Sequence, residues 1–123
     1  SNRLRLYVNG SEVASKTHNN STVNQNSAFS IGRRHDTNGA YYDGKIDEVA
    51  YWDTELSANE ISALYNSGTP LSASSNSGNY ISSGSLIMYY QFQENLNDSE
   101  GSFDLTNYNN NIGSSNYVAE TID

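Results

Sequence analysis

The stretch DGKIDEVAYWDTELSANEISALYNSG, residues 43–68, decides the fold. Its second half reads as a short helix with its own punctuation. Ser57 is a good N-cap, and Glu60 stands three residues later, where a capping-box partner belongs. Leu56 before the cap and Ile61 at the fourth helical position form a hydrophobic staple. Leu64 and Tyr65 continue the apolar face, Gly68 closes the helix and Pro70 prevents a restart. The first half, from Lys45 to Asp53, reads as a strand with a conflict of parity. Ile46 looks inward, and so do Val49 and Tyr51, but these positions cannot share a face in a regular strand. An extra residue near Asp47 and Glu48, a β-bulge, reconciles them.

Toward the N-terminus, residues 3–8 alternate cleanly. Leu4, Leu6 and Val8 take one face; Arg3, Arg5 and Tyr7 take the other. Asn9 and Gly10 follow, the strongest short hairpin signal, because a type I′ turn needs positive φ at both central positions. That turn pairs Val8 with Ser11 and Leu6 with Val13, so Val13 joins the apolar face. Residues 15–27 are polar and loop-like, with at most a short strand near Val23. Phe29, Ser30 and Ile31 restart the alternation and Gly32 ends it. Residues 33–40 form a loop or hairpin end with Asn38 and Gly39 at the tip.

Toward the C-terminus, residues 71–85 are dominated by Ser, Asn and Gly and read as a flexible linker or long surface loop. Residues 86–93 return to a strand. Residues 95–101 are a polar loop, 103–106 a short strand, and Tyr117 and Val118 a last one.

Composition agrees with a single β-rich domain carrying long polar loops. A chain of 123 residues suffices for one domain. Hydrophobic residues are 35% and charged residues 16%, both low for a globular protein. Ser and Asn fill the gap, at roughly a third of the chain. Ten Tyr against three Phe and one Trp suit strands that are half buried and half wet. The net charge of −8 and the six Lys and Arg exclude nucleic acid as a partner, because a phosphate-neutralising surface needs cations. The absence of Cys excludes disulfides, zinc thiolates and thiol nucleophiles. No apolar run is long enough for membrane insertion; the longest, residues 86–90, is of strand length.

Three segments in this order resemble the laminin-G-like branch of the concanavalin A-like jelly-roll superfamily: LRLYVNG at 4–10, FSIG at 29–32 with YDGKIDEVAYW at 42–52, and LSANEISALY at 56–65. They are similar to the closing part of that domain. Residues 86–92, LIMYYQF, and 95–101, NLNDSEG, resemble its opening strand and the loop after it. The resemblance implies an all-β, concanavalin A-like jelly-roll β-sandwich, here partial, with one short helix. Residues 1–70 are its closing part, 71–85 a linker, and 86–123 an opening segment; the middle strands are absent. This order is similar to the C-terminal ends of tailed-phage virion proteins, and also fits a chain straddling two tandem repeats. The implied setting is an extracellular surface or a phage virion. The implied role is a non-enzymatic binding or adhesion module for a glycan or surface protein. The other reading is a virion structural or decoration domain with protein contacts only. With apolar strand faces left uncovered, the chain is expected to need a homo-oligomer or an upstream part of the same polypeptide to complete its sandwich.

Catalysis finds no support in the residues. The sandwich hydrolases place two carboxyl groups on one strand in an E-x-D-x-x-E pattern, and Asp47, Glu48, Asp53 and Glu55 do not fit it. Glu94, Asp98 and Glu100 lie in or beside a loop. His18 and His35 read as exposed loop residues. The resemblance implies calcium, with Asp98 and Asp47 at the matching positions, since Ca²⁺ takes hard oxygen ligands from loops. The plain alternative is that Asp98 caps a turn through its own side chain and Asp47 sits at a bulge. Exposed Tyr and Trp are the usual platforms for sugar rings, which makes Tyr41, Tyr42 and Trp52 the candidate ligand-binding residues. Tyr51, Tyr89 and Tyr90 are also candidates, with half-core strand positions as the alternative.

Overall fold

The computed structural model describes residues 3–17, 29–33 and 40–107. The strand near Val23, the tip at Asn38 and Gly39, His18, His35 and the last strand at Tyr117 and Val118 lie outside the described residues. Among the described residues there are two antiparallel two-stranded sheets and one short helix, and the sheets do not close into a jelly roll.

The first sheet is a hairpin of β1 (Arg3–Val8) and β2 (Ser11–Thr17). Asn9 and Gly10 both have positive φ, 51° and 74°, as the turn chemistry requires. Val8 faces Ser11 as expected. Leu6, however, faces Ala14 and not Val13, because the register shifts by one residue between Leu6 and Tyr7. Arg5 ion-pairs with Glu55, just ahead of the helix, and lies 3.7 Å from Glu12. The turn itself packs on the helix: a Cβ on Gly10 would sit 2.9 Å from Tyr65 Cδ1. The Arg5 side of the hairpin therefore faces the body of the protein. Leu4, Leu6 and Val8 point away, 68%, 58% and 51% exposed.

The second sheet pairs β3 (Val49–Trp52) with β4 (Leu86–Tyr90). Strand β3 is shorter than the expected 45–53. The parity conflict ahead of it is resolved by Glu48, which adopts a left-handed φ of 53° in place of a bulge. That turn ends the strand and leaves Ile46 at the surface. Tyr51 also faces outward, against expectation, and Trp52 turns inward. The indole N–H of Trp52 finds an acceptor in the Tyr80 hydroxyl at 2.9 Å, whereas the Tyr51 hydroxyl is left to water.

Between the strands lies the helix α1 (Ala58–Tyr65). Its capping box forms as expected: the Glu60 amide donates to Ser57 Oγ at 3.3 Å, and the Ser57 amide donates to Glu60 Oε2 at 2.9 Å. The left-handed C-cap is Asn66, and a 3-10 turn carries the chain on to Gly68.

Residues 71–85 are not a free linker. Ala73 and Tyr80 are buried, and Tyr80 donates to the Ala73 carbonyl at 2.7 Å. The Ile81 amide and the Ser82 hydroxyl both donate to Glu60 Oε1. The largest fully buried side chains are Tyr80, Tyr89 and Tyr90, so the core lies where the connector and β4 meet β3 and the helix. Tyr89 and Tyr90 are thus core residues and not platforms. Residues 103–106 form no strand; the Phe103 carbonyl accepts from Tyr90 Oη at 2.8 Å and the Leu105 amide donates to the Leu96 carbonyl at 2.9 Å.

Candidate ligand-binding site

A surface cleft is built where the chain doubles back after residue 33. Arg33 and Tyr41 face each other in an antiparallel bridge, and the Tyr42 amide donates to the Gly32 carbonyl at 2.8 Å. Gly32 has φ of 73°, the left-handed conformation in which an L side chain is strained. Ser30 Oγ fastens the near side by donating to the Arg33 carbonyl at 2.9 Å. These backbone contacts set Tyr41 and Tyr42 in succession at one edge. The open cleft has a volume of about 540 Å³ and is lined by Gly32, Arg33, Ala40, Tyr41, Tyr42 and Ile46.

Tyr41 and Tyr42 are 49% and 60% exposed, with the Tyr42 ring lying against Gly44 on one side. Gly44 holds the second ring in place by having no side chain: a Cβ there would lie 2.7 Å from Tyr42 Cε1, Cζ and Oη. Two of the three expected ligand-binding residues therefore come together. The third does not. Trp52 is absent from the cleft lining and is committed to Tyr80, edge-on with ring centroids 6.3 Å apart. The cleft adds Gly32, Arg33 and Ile46, which the sequence reading passed over; the Arg33–Tyr41 bridge that assembles them spans residues with no periodic signal.

A laminin-G model of the concanavalin A-like lectin/glucanases superfamily matches residues 1–62, just over half of the chain. The chain belongs to this superfamily. No curated protein and no solved structure matches the chain. The matched part of this lectin-superfamily module takes in both strands of the hairpin, β3 and the start of the helix, and it includes the whole cleft.

The cleft lining of this module holds no carboxylate. Among the described residues the two buried carboxylates, Glu60 and Asp98, both accept from internal donors, and neither lines the cleft. Glu60 is pulled down to about 2, first by the Ser82 hydroxyl and then by the Ser57 amide. Glu48 is pushed up to about 7 by burial and by the neighbouring Asp47. Such a carboxyl is the kind that serves as a general acid. Glu48, however, lies outside the cleft and accepts a hydrogen bond from the buried Tyr89 through Oε2.

At Asp98, one of the two positions where the resemblance implies calcium, backbone amides donate to the carboxylate. Asp98 Oδ1 accepts from the amides of Tyr89 (2.9 Å) and Glu100 (3.1 Å), and Oδ2 accepts from Phe103 (3.3 Å). Asp47 is exposed, and among the described residues no group of three or more acidic or imidazole side chains stands together. Asp98 fastens its loop to β4 through a turn closed by its own side chain. Among the described residues no helix is long and apolar enough to cross a membrane.

Proposed function

We propose that the module binds a glycan at the Tyr41 and Tyr42 cleft, as an adhesion domain of an extracellular or virion surface protein. The observation that carries this reading is the pair of consecutive, exposed tyrosines at the edge of an open cleft whose backbone is fixed by the Gly32 and Arg33 contacts. A sugar offers C–H faces to an aromatic ring and hydroxyls to polar groups. Tyr supplies both a ring and a hydroxyl. A glycan array probed with the labelled full chain tests the reading. Saturable signal on at least one glycan, lost in the Tyr41→Ala/Tyr42→Ala double variant, is the expected result. A blank array at high protein concentration overturns it.

A second reading, a structural or decoration domain with protein contacts only, is favoured by a different observation. The outward face of Leu4, Leu6 and Val8 has no cover among the described residues. Apolar faces of this kind mark protein contacts. The array separates the two readings, since a purely structural domain gives no glycan signal.

A further inference from the structure

We infer that the cleft selects its sugar by a methyl group seated against Ile46 and Ala40, beside the two tyrosines. The methyl is that of a 6-deoxyhexose or of an acetamido sugar. The inference rests on the glycan reading and deepens it, by naming the class of sugar that the same site takes.

The lining divides by chemistry. Ile46 and Ala40 offer hydrocarbon only, and Gly32 offers no side chain at all. The end of Ile46 lies over Gly32: a Cβ there would stand 3.4 Å from Ile46 Cδ1, in van der Waals contact. The Gly32 backbone beneath it is fixed, because its carbonyl accepts from the Tyr42 amide at 2.8 Å. Ile46 is 37% exposed, so part of its surface stays open to a ligand. The left-handed turn at Glu48, which ends β3 early, is what leaves Ile46 in the cleft and out of the sheet.

Polar side chains are few in the same lining. Arg33 already has a partner in the structure, so the groups left to a ligand are the hydroxyls of Tyr41 and Tyr42. A hexose brings a hydroxymethyl group and several ring hydroxyls. Any of these set on Ile46 or Ala40 would lose water without gaining a hydrogen-bond partner. A methyl group in the same place gives up no hydrogen bond and takes carbon out of water. The ring of such a sugar keeps C–H faces for the tyrosine rings and other hydroxyls for the phenols. The arrangement therefore favours a sugar in which one hydroxyl is replaced by a group that ends in methyl.

The glycan array and two matched pairs of sugars, all with the full chain, test the inference. Every glycan that the array selects should carry a deoxyhexose or an N-acetyl sugar. In calorimetric titration, methyl α-L-fucoside is compared with methyl α-L-galactoside, which differs only by a hydroxyl at C6. Methyl N-acetyl-β-D-glucosaminide is compared with methyl β-D-glucoside. In at least one pair the methyl-bearing sugar should bind roughly three- to tenfold tighter, the scale of one methyl buried in an open cleft. The pair with the larger ratio identifies which methyl is seated. Ile46→Ala should bring that ratio down toward one, and the comparison in the parent protein stands whether or not this variant folds. Equal affinities within both pairs, selected glycans that carry neither group, or an unchanged ratio in a folded Ile46→Ala overturn the inference and leave the glycan reading standing. A blank array overturns both.

Discussion

The Tyr80 hydroxyl stands between Trp52 and Ala73, accepting from the indole N–H at 2.9 Å and donating to the carbonyl at 2.7 Å. One group thus satisfies a donor on the closing strand and an acceptor in the connector, in the most buried part of the protein. Tyr80→Phe keeps the ring and removes both bonds. Two partly or fully buried polar groups lose their partner, and the expected loss is about 1–3 kcal/mol in urea denaturation. An unchanged midpoint would mean that water reaches both.

Two carboxyl groups set opposite pH dependences. Glu60 titrates at about 2 in the folded protein against an ordinary 4.5. Its stabilisation is complete above about 4.5 and disappears as pH falls through 2. Glu48 titrates at about 7, so the folded state holds its proton more tightly than the unfolded chain does. Its contribution is complete below about 4.5 and is lost as pH rises through 7. The melting temperature should therefore decline from pH 5 to pH 8 in the parent protein and stay flatter in Glu48→Gln. In Glu60→Gln the steep loss below pH 4.5 should shrink. Identical profiles for the parent and Glu48→Gln would show that Glu48 does not titrate in this range.

Asp98, the buried residue of a largely exposed loop, serves three backbone amides, and its removal leaves that of the buried Tyr89 without its acceptor. Asp98→Ala should lower stability by about 1–3 kcal/mol. The melting curve of the parent protein should be the same in calcium and in EGTA. A melting shift on chelation that Asp98→Ala abolishes would show that this residue is a metal ligand.

Much of this organisation is legible in the sequence, and the misses have physical causes. The helix is readable because Ser57 and Glu60 are a local pair whose geometry depends on nothing distant. The hairpin turn is readable for the same reason, but its register is not, because a one-residue bulge leaves no composition signal. The break in parity near Glu48 is visible as a conflict. The device that resolves it, one left-handed residue, is not. Tyr80 was hidden by its neighbourhood, a single aromatic in a Ser, Asn and Gly stretch that reads as linker until Trp52 and Glu60 are seen to hold it. Of the candidate site, Tyr41 and Tyr42 stand out as aromatic residues. Trp52 stands out equally and lies half-buried against Tyr80, away from the cleft, because only the fold tells which aromatic residues come together.

Gly44 should act on ligand binding through Tyr42 alone. An added Cβ meets the far end of a flexible side chain, which can turn aside at small cost to folding. Gly44→Ala should leave the melting temperature nearly unchanged and weaken glycan binding several-fold. A large loss of stability would show that the ring is held more rigidly than its exposure implies.

The most direct measurement of the central claim is calorimetric titration of the full chain with the glycan that the array selects. The parent protein, Tyr41→Ala/Tyr42→Ala and Trp52→Phe are to be compared. Binding should vanish in the tyrosine double variant and persist in Trp52→Phe, whose indole faces Tyr80 and not the cleft. Unchanged affinity in the double variant, or loss of binding in a folded Trp52→Phe, would contradict the assignment of the site.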